Sequence, residues 1–216
     1  MAYTVKEIYY TLQGEGIHVG RPAVFLRFTG CNLWTGLDKD RGKGLGGCSQ
    51  WCDTDFVGTD GVGGGKFLNA AELADAVARK WPANGNSMSR PFVVCTGGEP
   101  LLQLNSALLG AFESLGFEVA AETNGTQVPP KGRLWLTVSP KANASLILTS
   151  GDELKLVYPQ EGMDPERFEK LEFKHFLLQP MDGARRAENT AAALTYCLAH
   201  PKWRLSVQAH KFVGIR

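Results

Sequence analysis

The chain lacks any apolar run approaching the ~20 residues that a membrane-spanning helix needs. Neither sign of charge is in excess: 23 Lys and Arg stand against 22 Asp and Glu, a net charge of +1. That argues against a broad nucleic-acid footprint or an anchor to acidic lipid, though a local basic pocket remains compatible with it. There is no internal repeat, low-complexity tract or linker, so residues 1–216 read as one domain. Cysteine is scarce and odd in number, at five. The opening MAYTVKEIYY has no apolar core and no small-residue cleavage site. Together these argue against a disulfide framework and point to free thiols in a reducing cytoplasm.

What is present is enough apolar content, 44%, to bury a proper core. Three of the cysteines, Cys31, Cys48 and Cys52, fall in the stretch Gly30 to Phe56. This loop is rich in Gly, Asp and Lys and reads as unable to bury itself, so something must fix it. Three thiolates converging on a metal or an iron–sulfur cluster would do so. Structural zinc usually takes four protein ligands, whereas three leave a position free for chemistry. No convincing fourth is evident, because Cys95 and Cys197 stand alone in apolar segments and His18 lies well upstream. Spacing by itself leaves zinc and iron–sulfur both open.

Before this loop, YYTLQGEG carries Gly14 and Gly16, which break any helix and allow a ligand close to the backbone. Gln13 and Glu15 flank Gly14 as hydrogen-bonding groups for a polar ligand. A strand over Ala23–Phe28 alternates Val24, Leu26 and Phe28 with Phe25 and Arg27. An Arg there must be paired or face a polar cavity. After the loop, Asn69 with Glu72 predicts a helix to about Arg79. Ala83 to Ser89 reads as a loop. Pro91–Cys95 is an apolar run typical of a strand covered on both faces. It leads into Thr96-Gly97-Gly98-Glu99-Pro100 and a predicted helix to about Leu115.

Further strands are predicted at Phe117–Glu122, Leu134–Val138, Glu153–Tyr158, His175–Leu178 and Trp203–Gln208, with helices over Glu166–Leu171 and Ala187–His200. Strand after strand ends on a polar or Gly-containing cluster, as at Glu122–Gly125, Ser139–Lys141, Gln179–Asp182 and Gln208–Lys211. In a parallel α/β arrangement all these ends face one site. The expected fold is an incomplete parallel β/α barrel of about six strands, with some crossover helices missing and the cysteine loop, residues 31–56, inserted.

A three-cysteine loop followed by Gly-Gly-Glu-Pro resembles the radical S-adenosylmethionine superfamily. YYTLQGEG, RFTGCNL, CDTDF, TGGEPLLQ, ETNGT, SPK, LQPMD and the late His210-Lys211 together resemble the 7-carboxy-7-deazaguanine synthase family over nearly the whole chain. The spacing departs from the superfamily's usual Cys-x3-Cys-x2-Cys, being Cys-x16-Cys-x3-Cys here.

The resemblance implies a [4Fe–4S] cluster on Cys31, Cys48 and Cys52, whose open iron takes the amino and carboxylate groups of S-adenosylmethionine. It implies ring contraction of 6-carboxy-5,6,7,8-tetrahydropterin to 7-carboxy-7-deazaguanine, a queuosine precursor, with loss of ammonia. Trp51, Asp53, Gly97, Gly98, Glu99, Ser139, Pro140, Lys141, Gln179, Pro180, Met181 and Asp182 would hold S-adenosylmethionine. Leu12, Gln13, Gly14, Glu15, Arg27, Thr96, Glu122 and the terminal Arg216 would bind the pterin. Thr54 would ligate Mg²⁺. A flavodoxin- or ferredoxin-like reductant, a homodimer, and no nucleic-acid or membrane partner are also implied. The alternatives are an activase that installs a radical on a partner protein, and a non-catalytic zinc-binding module.

Overall fold

The computed structural model describes residues 1–82 and 90–215. The expected loop over 83–89 and the terminal Arg216 therefore lie outside the described residues. Nine strands form one sheet among them: β1 (Tyr3–Leu12), β2 (Pro22–Phe28), β3 (Gly65–Phe67), β4 (Phe92–Gly97), β5 (Glu118–Thr123), β6 (Trp135–Val138), β7 (Ser150–Tyr158), β8 (Glu172–Pro180) and β9 (Trp203–Leu205). Their spatial order is β3-β1-β2-β4-β5-β6-β7-β8-β9. From β2 to β9 every neighbouring pair is parallel. β1 runs antiparallel to both β2 and β3.

The expected count of about six strands is thus corrected: the parallel run holds seven, each at a segment read as a strand, and the antiparallel β1 and β3 extend one edge. In β1, YTVKEIYYTL mixes charge into its alternation, and β3, at three residues, is too short to stand out in the sequence. The sheet is mixed α/β and does not close, since β3 and β9 are its two edges.

Strand alternation divides the side chains between two faces. Val24, Leu26 and Phe28 join Val93, Cys95, Val119, Ala121, Leu154 and Leu156 in the main core. Against it pack α1 (Ala70–Ala78), through Leu73 and Val77, and α2 (Ser106–Ser114), through Leu108 and Phe112. Ala23, Phe92, Val94 and Ala120 form a smaller cluster with Phe25 on the other face. The run Phe92–Cys95 is covered on both sides, as its unbroken apolarity implied. Cys95 is fully buried, and Cys197, on α3 (Arg186–Ala199), packs against the core; both act as small apolar groups.

The cap of α1 follows the sequence signal, since Asn69 Oδ1 accepts from Glu72 N at 2.9 Å. The helix predicted from Pro100 does not form there. A 3₁₀ turn spans Pro100–Leu102, and Asn105 then caps α2 by accepting from Leu108 N at 3.0 Å. An Asx side chain competes with the helix backbone, which is why it starts a new helix here. The region predicted as a helix over Glu166–Leu171 is instead a 3₁₀ turn, Pro165–Phe168. The last strand stops at Leu205, and a short helix, α4 (Ala209–Val213), follows.

Candidate active site

A cavity of about 460 Å³ lies where the parallel strands end. Strands β1, β2, β4, β5, β7 and β8 contribute to its wall, together with the cysteine loop and α4. The alternation that buries Leu26 turns Phe25 and Arg27 toward it, and the same holds for Glu122 and Lys155.

The cysteine loop buries more of itself than its composition suggested. Leu33, Trp34 and Phe56 form an apolar nub, with the Trp34 and Phe56 rings edge to face at 5.8 Å. Gly47 N donates to Ala142 O at 2.7 Å, tying the loop to the β6 end. Cys31, Cys48 and Cys52 all line the cavity. The extra residue between the last two closes a turn, in which Cys52 N donates to Cys48 O at 2.7 Å.

Burial raises the Cys31 thiol and pushes Cys48 up to about 11. Such thiols ionise on binding a cation. Among the described residues no three His, Cys, Asp or Glu groups are gathered as a single ion would need. Four thiolates at about 2.3 Å from one zinc sit only about 3.8 Å apart. Three soft thiols spread around a cavity fit a larger cluster better than one ion. His18 is no fourth ligand, because its ring packs between Phe92 and Trp135, at 5.1 and 4.4 Å.

Glycines 97 and 98 are required by close approach. A Cβ on Gly97, whose φ is +135°, would lie 2.7 Å from Phe28 N. One on Gly98 would lie 2.7 Å from Cys31 Cβ. These two residues let the β4 end touch the turn that carries the first cysteine.

Glu99 does not face the cavity. It is fully buried, and Leu101 N and Thr123 Oγ1 donate to its Oε1 at 2.9 and 2.7 Å. Asn124 N donates to its Oε2 at 2.7 Å. Its carboxylate therefore binds the Gly-Gly-Glu-Pro turn to the β5 end rather than a ligand. Asn124 Nδ2 in turn donates to Asn32 Oδ1 at 3.0 Å, which links β5 to the residue after Cys31.

Arg27 both lines the cavity and is paired. Its Nε donates to Glu7 Oε1 at 2.8 Å, directly across the β1–β2 register. Glu15 and Glu122 instead hold Lys155, a residue the sequence reading missed. Gln13 Nε2 donates to Glu122 Oε1 at 2.9 Å.

Leu12, Gln13, Gly14, Glu15, Arg27, Trp51, Asp53, Thr54, Thr96, Gly97, Gly98, Glu122, Ser139, Lys141 and Gln179 all line the cavity. Lys141 Nζ donates to Ser139 O at 2.9 Å. Gln179 Oε1 is buried and has no hydrogen-bond partner among the described residues. An acceptor left unsatisfied on a cavity wall suits a ligand donor.

The neighbours of Gln179 are placed differently from the expectation. Pro180 and Asp182 face an adjacent cleft, and Pro140 faces a separate cavity. Met181 is fixed through its backbone, donating to Tyr158 O at 2.8 Å. Asp182 reaches the rim through Lys211, whose Nζ lies 2.7 Å from Asp182 Oδ2.

No family model matches the chain. It is 58% identical over 215 residues to the 7-carboxy-7-deazaguanine synthase of Bordetella pertussis, covering 100% of both chains. It is 56% identical over 216 residues to that of Bradyrhizobium diazoefficiens, again covering 100% of both. The synthase of Neisseria meningitidis is 32% identical over 230 residues, covering 99% of this chain and 94% of its own. Among solved structures, QueE from Escherichia coli matches with a TM-score of 0.70 and 28% identity, over 97% of this chain and 95% of that one. No helix of the described residues is long and apolar enough to cross a membrane. Sequence identity over the full length, the shared fold and the gathering of the motif residues around one cavity agree: the chain belongs to the 7-carboxy-7-deazaguanine synthase family.

Proposed function

We propose that this enzyme contracts 6-carboxy-5,6,7,8-tetrahydropterin to 7-carboxy-7-deazaguanine with release of ammonia, in queuosine biosynthesis. Membership of the synthase family supports the reaction. The observation that carries it to this site is one cavity shared by two kinds of group. Three thiols, Arg27 and the carboxylates of Glu15 and Glu122 all line it.

Cys31, Cys48 and Cys52 would hold a [4Fe–4S] cluster, which when bound supplies reductive cleavage of S-adenosylmethionine and hence a 5′-deoxyadenosyl radical. The protein's task is position and exclusion of water. Gly97 and Gly98 bring backbone close to the methionine end. Ser139 and Lys141 add a donor pair beside it. Gln179 Oε1 accepts from the nucleoside. Glu99 acts from behind by fixing the turn. Asp53 and Asp182 act at the rim through Lys211. Trp51 lies near Lys141, whose Nζ is 5.8 Å from the ring centre.

Arg27 offers a donor fork to the pterin carboxylate, with Glu7 holding its Nε. Glu15 and Glu122 accept from the guanidine-like edge. Leu12 to Gly14 and Thr96 complete the wall. Thr54 offers a hydroxyl to Mg²⁺, a hard cation that keeps its waters. The open sheet acts as a partial barrel around both ligands. A small reductant of flavodoxin or ferredoxin type, a homodimer and a reducing cytoplasm complete the reading.

The experiment that tests this against the activase alternative is deoxyadenosine formation by reconstituted protein given the pterin alone. Stimulation by the small molecule supports the synthase. Stimulation only by a protein partner contradicts it.

A further inference from the structure

Lys155 lies between Leu154 and Leu156, both buried against the helices. Alternation turns it to the opposite face, into the cavity wall. Its side chain is only 4% exposed. Nζ contacts Glu15 Oε2 and lies 3.1 Å from Glu122 Oε2. The outer oxygens are also held: Gln208 Nε2 donates to Glu15 Oε1 at 2.9 Å, and Gln13 Nε2 to Glu122 Oε1 at 2.9 Å. Each of the four oxygens thus has a donor on the protein side. A carboxylate oxygen accepts about two hydrogen bonds, so capacity remains toward the cavity.

Two buried carboxylates this near one another would normally share a proton. An ammonium between them removes that need. Burial opposes the charge on Lys155, but Glu122 and Glu15 outweigh it and raise the group. The result is a pair of carboxylates on the cavity wall, each oxygen of which is held by a donor of the protein.

We propose that Lys155 is the positioning residue that makes Glu15 and Glu122 a paired acceptor surface selective for the N3–H and 2-amino donors of a 2-amino-4-oxopyrimidine ring. This rests on the pterin reading above. A 2-oxo ring sets an acceptor against a carboxylate and is rejected. The lysine itself sits beneath the carboxylates and acts on the ligand through them.

The test is equilibrium binding to the reconstituted holoenzyme of two unreactive ligands, pterin-6-carboxylate and its 2-oxo analogue lumazine-6-carboxylate. The wild type is expected to prefer the pterin by about tenfold or more. Lys155→Met should weaken pterin binding by about tenfold and reduce the preference to within about threefold. S-adenosylmethionine affinity and iron content should stay within about twofold, which a merely structural loss would not allow. Lys155→Arg should restore most of the preference. Should Lys155→Met not fold, Lys155→Gln keeps a polar amide but no charge and is expected to show the same loss of preference. A folded Lys155→Met or Lys155→Gln variant that keeps the wild-type preference overturns the role of Lys155 and leaves the pterin reading standing. A wild type that binds neither ligand overturns that reading and this proposal with it.

Discussion

Lys211 Nζ lies 2.6 Å from Asp53 Oδ2, joining the last helix to the residue after the third cysteine of the loop. The same ammonium is 2.7 Å from Asp182 Oδ2 at the end of β8. One lysine therefore ties three separate elements at the rim of the cavity. Lys211→Met should weaken S-adenosylmethionine binding by about fivefold, the value of roughly 1 kcal/mol for a half-exposed pair. Titration calorimetry measures it, and an unchanged affinity would remove Lys211 from the site.

Cys52→Ala should abolish cluster assembly. The expected reading is loss of the brown colour and of stoichiometric iron and sulfide after anaerobic reconstitution. A variant that kept a full cluster would show that the ligand assignment is wrong.

Arg27→Ala should raise the KM for the pterin by well over tenfold, at least about 1.4 kcal/mol for a lost charge-assisted contact. S-adenosylmethionine binding should stay intact. Glu7 would keep a buried carboxylate without this partner, so folding is checked alongside by circular dichroism. A folded variant with unchanged KM would place the substrate carboxylate elsewhere.

Gly98→Ala forces a Cβ to within 2.7 Å of Cys31 Cβ, and against the Gly30 carbonyl as well. Backbone cannot yield as a flexible side chain does. The expected cost is about 1–3 kcal/mol of stability, seen as a lowered unfolding midpoint, with poorer cluster retention. Wild-type stability and full iron content would contradict the close approach described for this turn.

Acid should expose the Glu15–Lys155 pair. Burial alone would raise the Glu15 carboxyl, but the charge and hydrogen bond of Lys155 hold it down, to about 2. An unfolded Glu titrates near 4.3, so the unfolded chain binds the proton first. The pair's contribution is therefore complete above about pH 4.3 and is lost as pH falls toward 2. Denaturant titrations of the cluster-free chain should show the gap between wild type and Glu15→Gln constant near neutrality and closing in that window. A gap that did not change with pH would contradict the coupling.

The alternation of Val24, Leu26 and Phe28 with Phe25 and Arg27 was readable because period two needs no distant partner. So was the Asn69–Glu72 cap, which is local. The cysteine loop and the polar strand ends were readable as chemistry. Lys155 was not: in LKLVY it looks like an interruption of a strand, and its carboxylates stand 140 and 33 residues away. Glu99 was placed correctly in its turn but not in orientation, because which face a carboxylate presents depends on Thr123 and Asn124. The break at Asn105 needed one more signal, the partner Tyr3, whose hydroxyl donates to Asn105 Oδ1 at 2.9 Å.

The measurement that tests the central claim most directly is an anaerobic incubation of reconstituted protein with dithionite, S-adenosylmethionine, Mg²⁺ and 6-carboxy-5,6,7,8-tetrahydropterin, read by mass spectrometry. The expected result is a 7-carboxy-7-deazaguanine peak that depends on every component and is lost in Cys52→Ala. Formation of 5′-deoxyadenosine without that product, from protein with a full cluster, would contradict the substrate assignment.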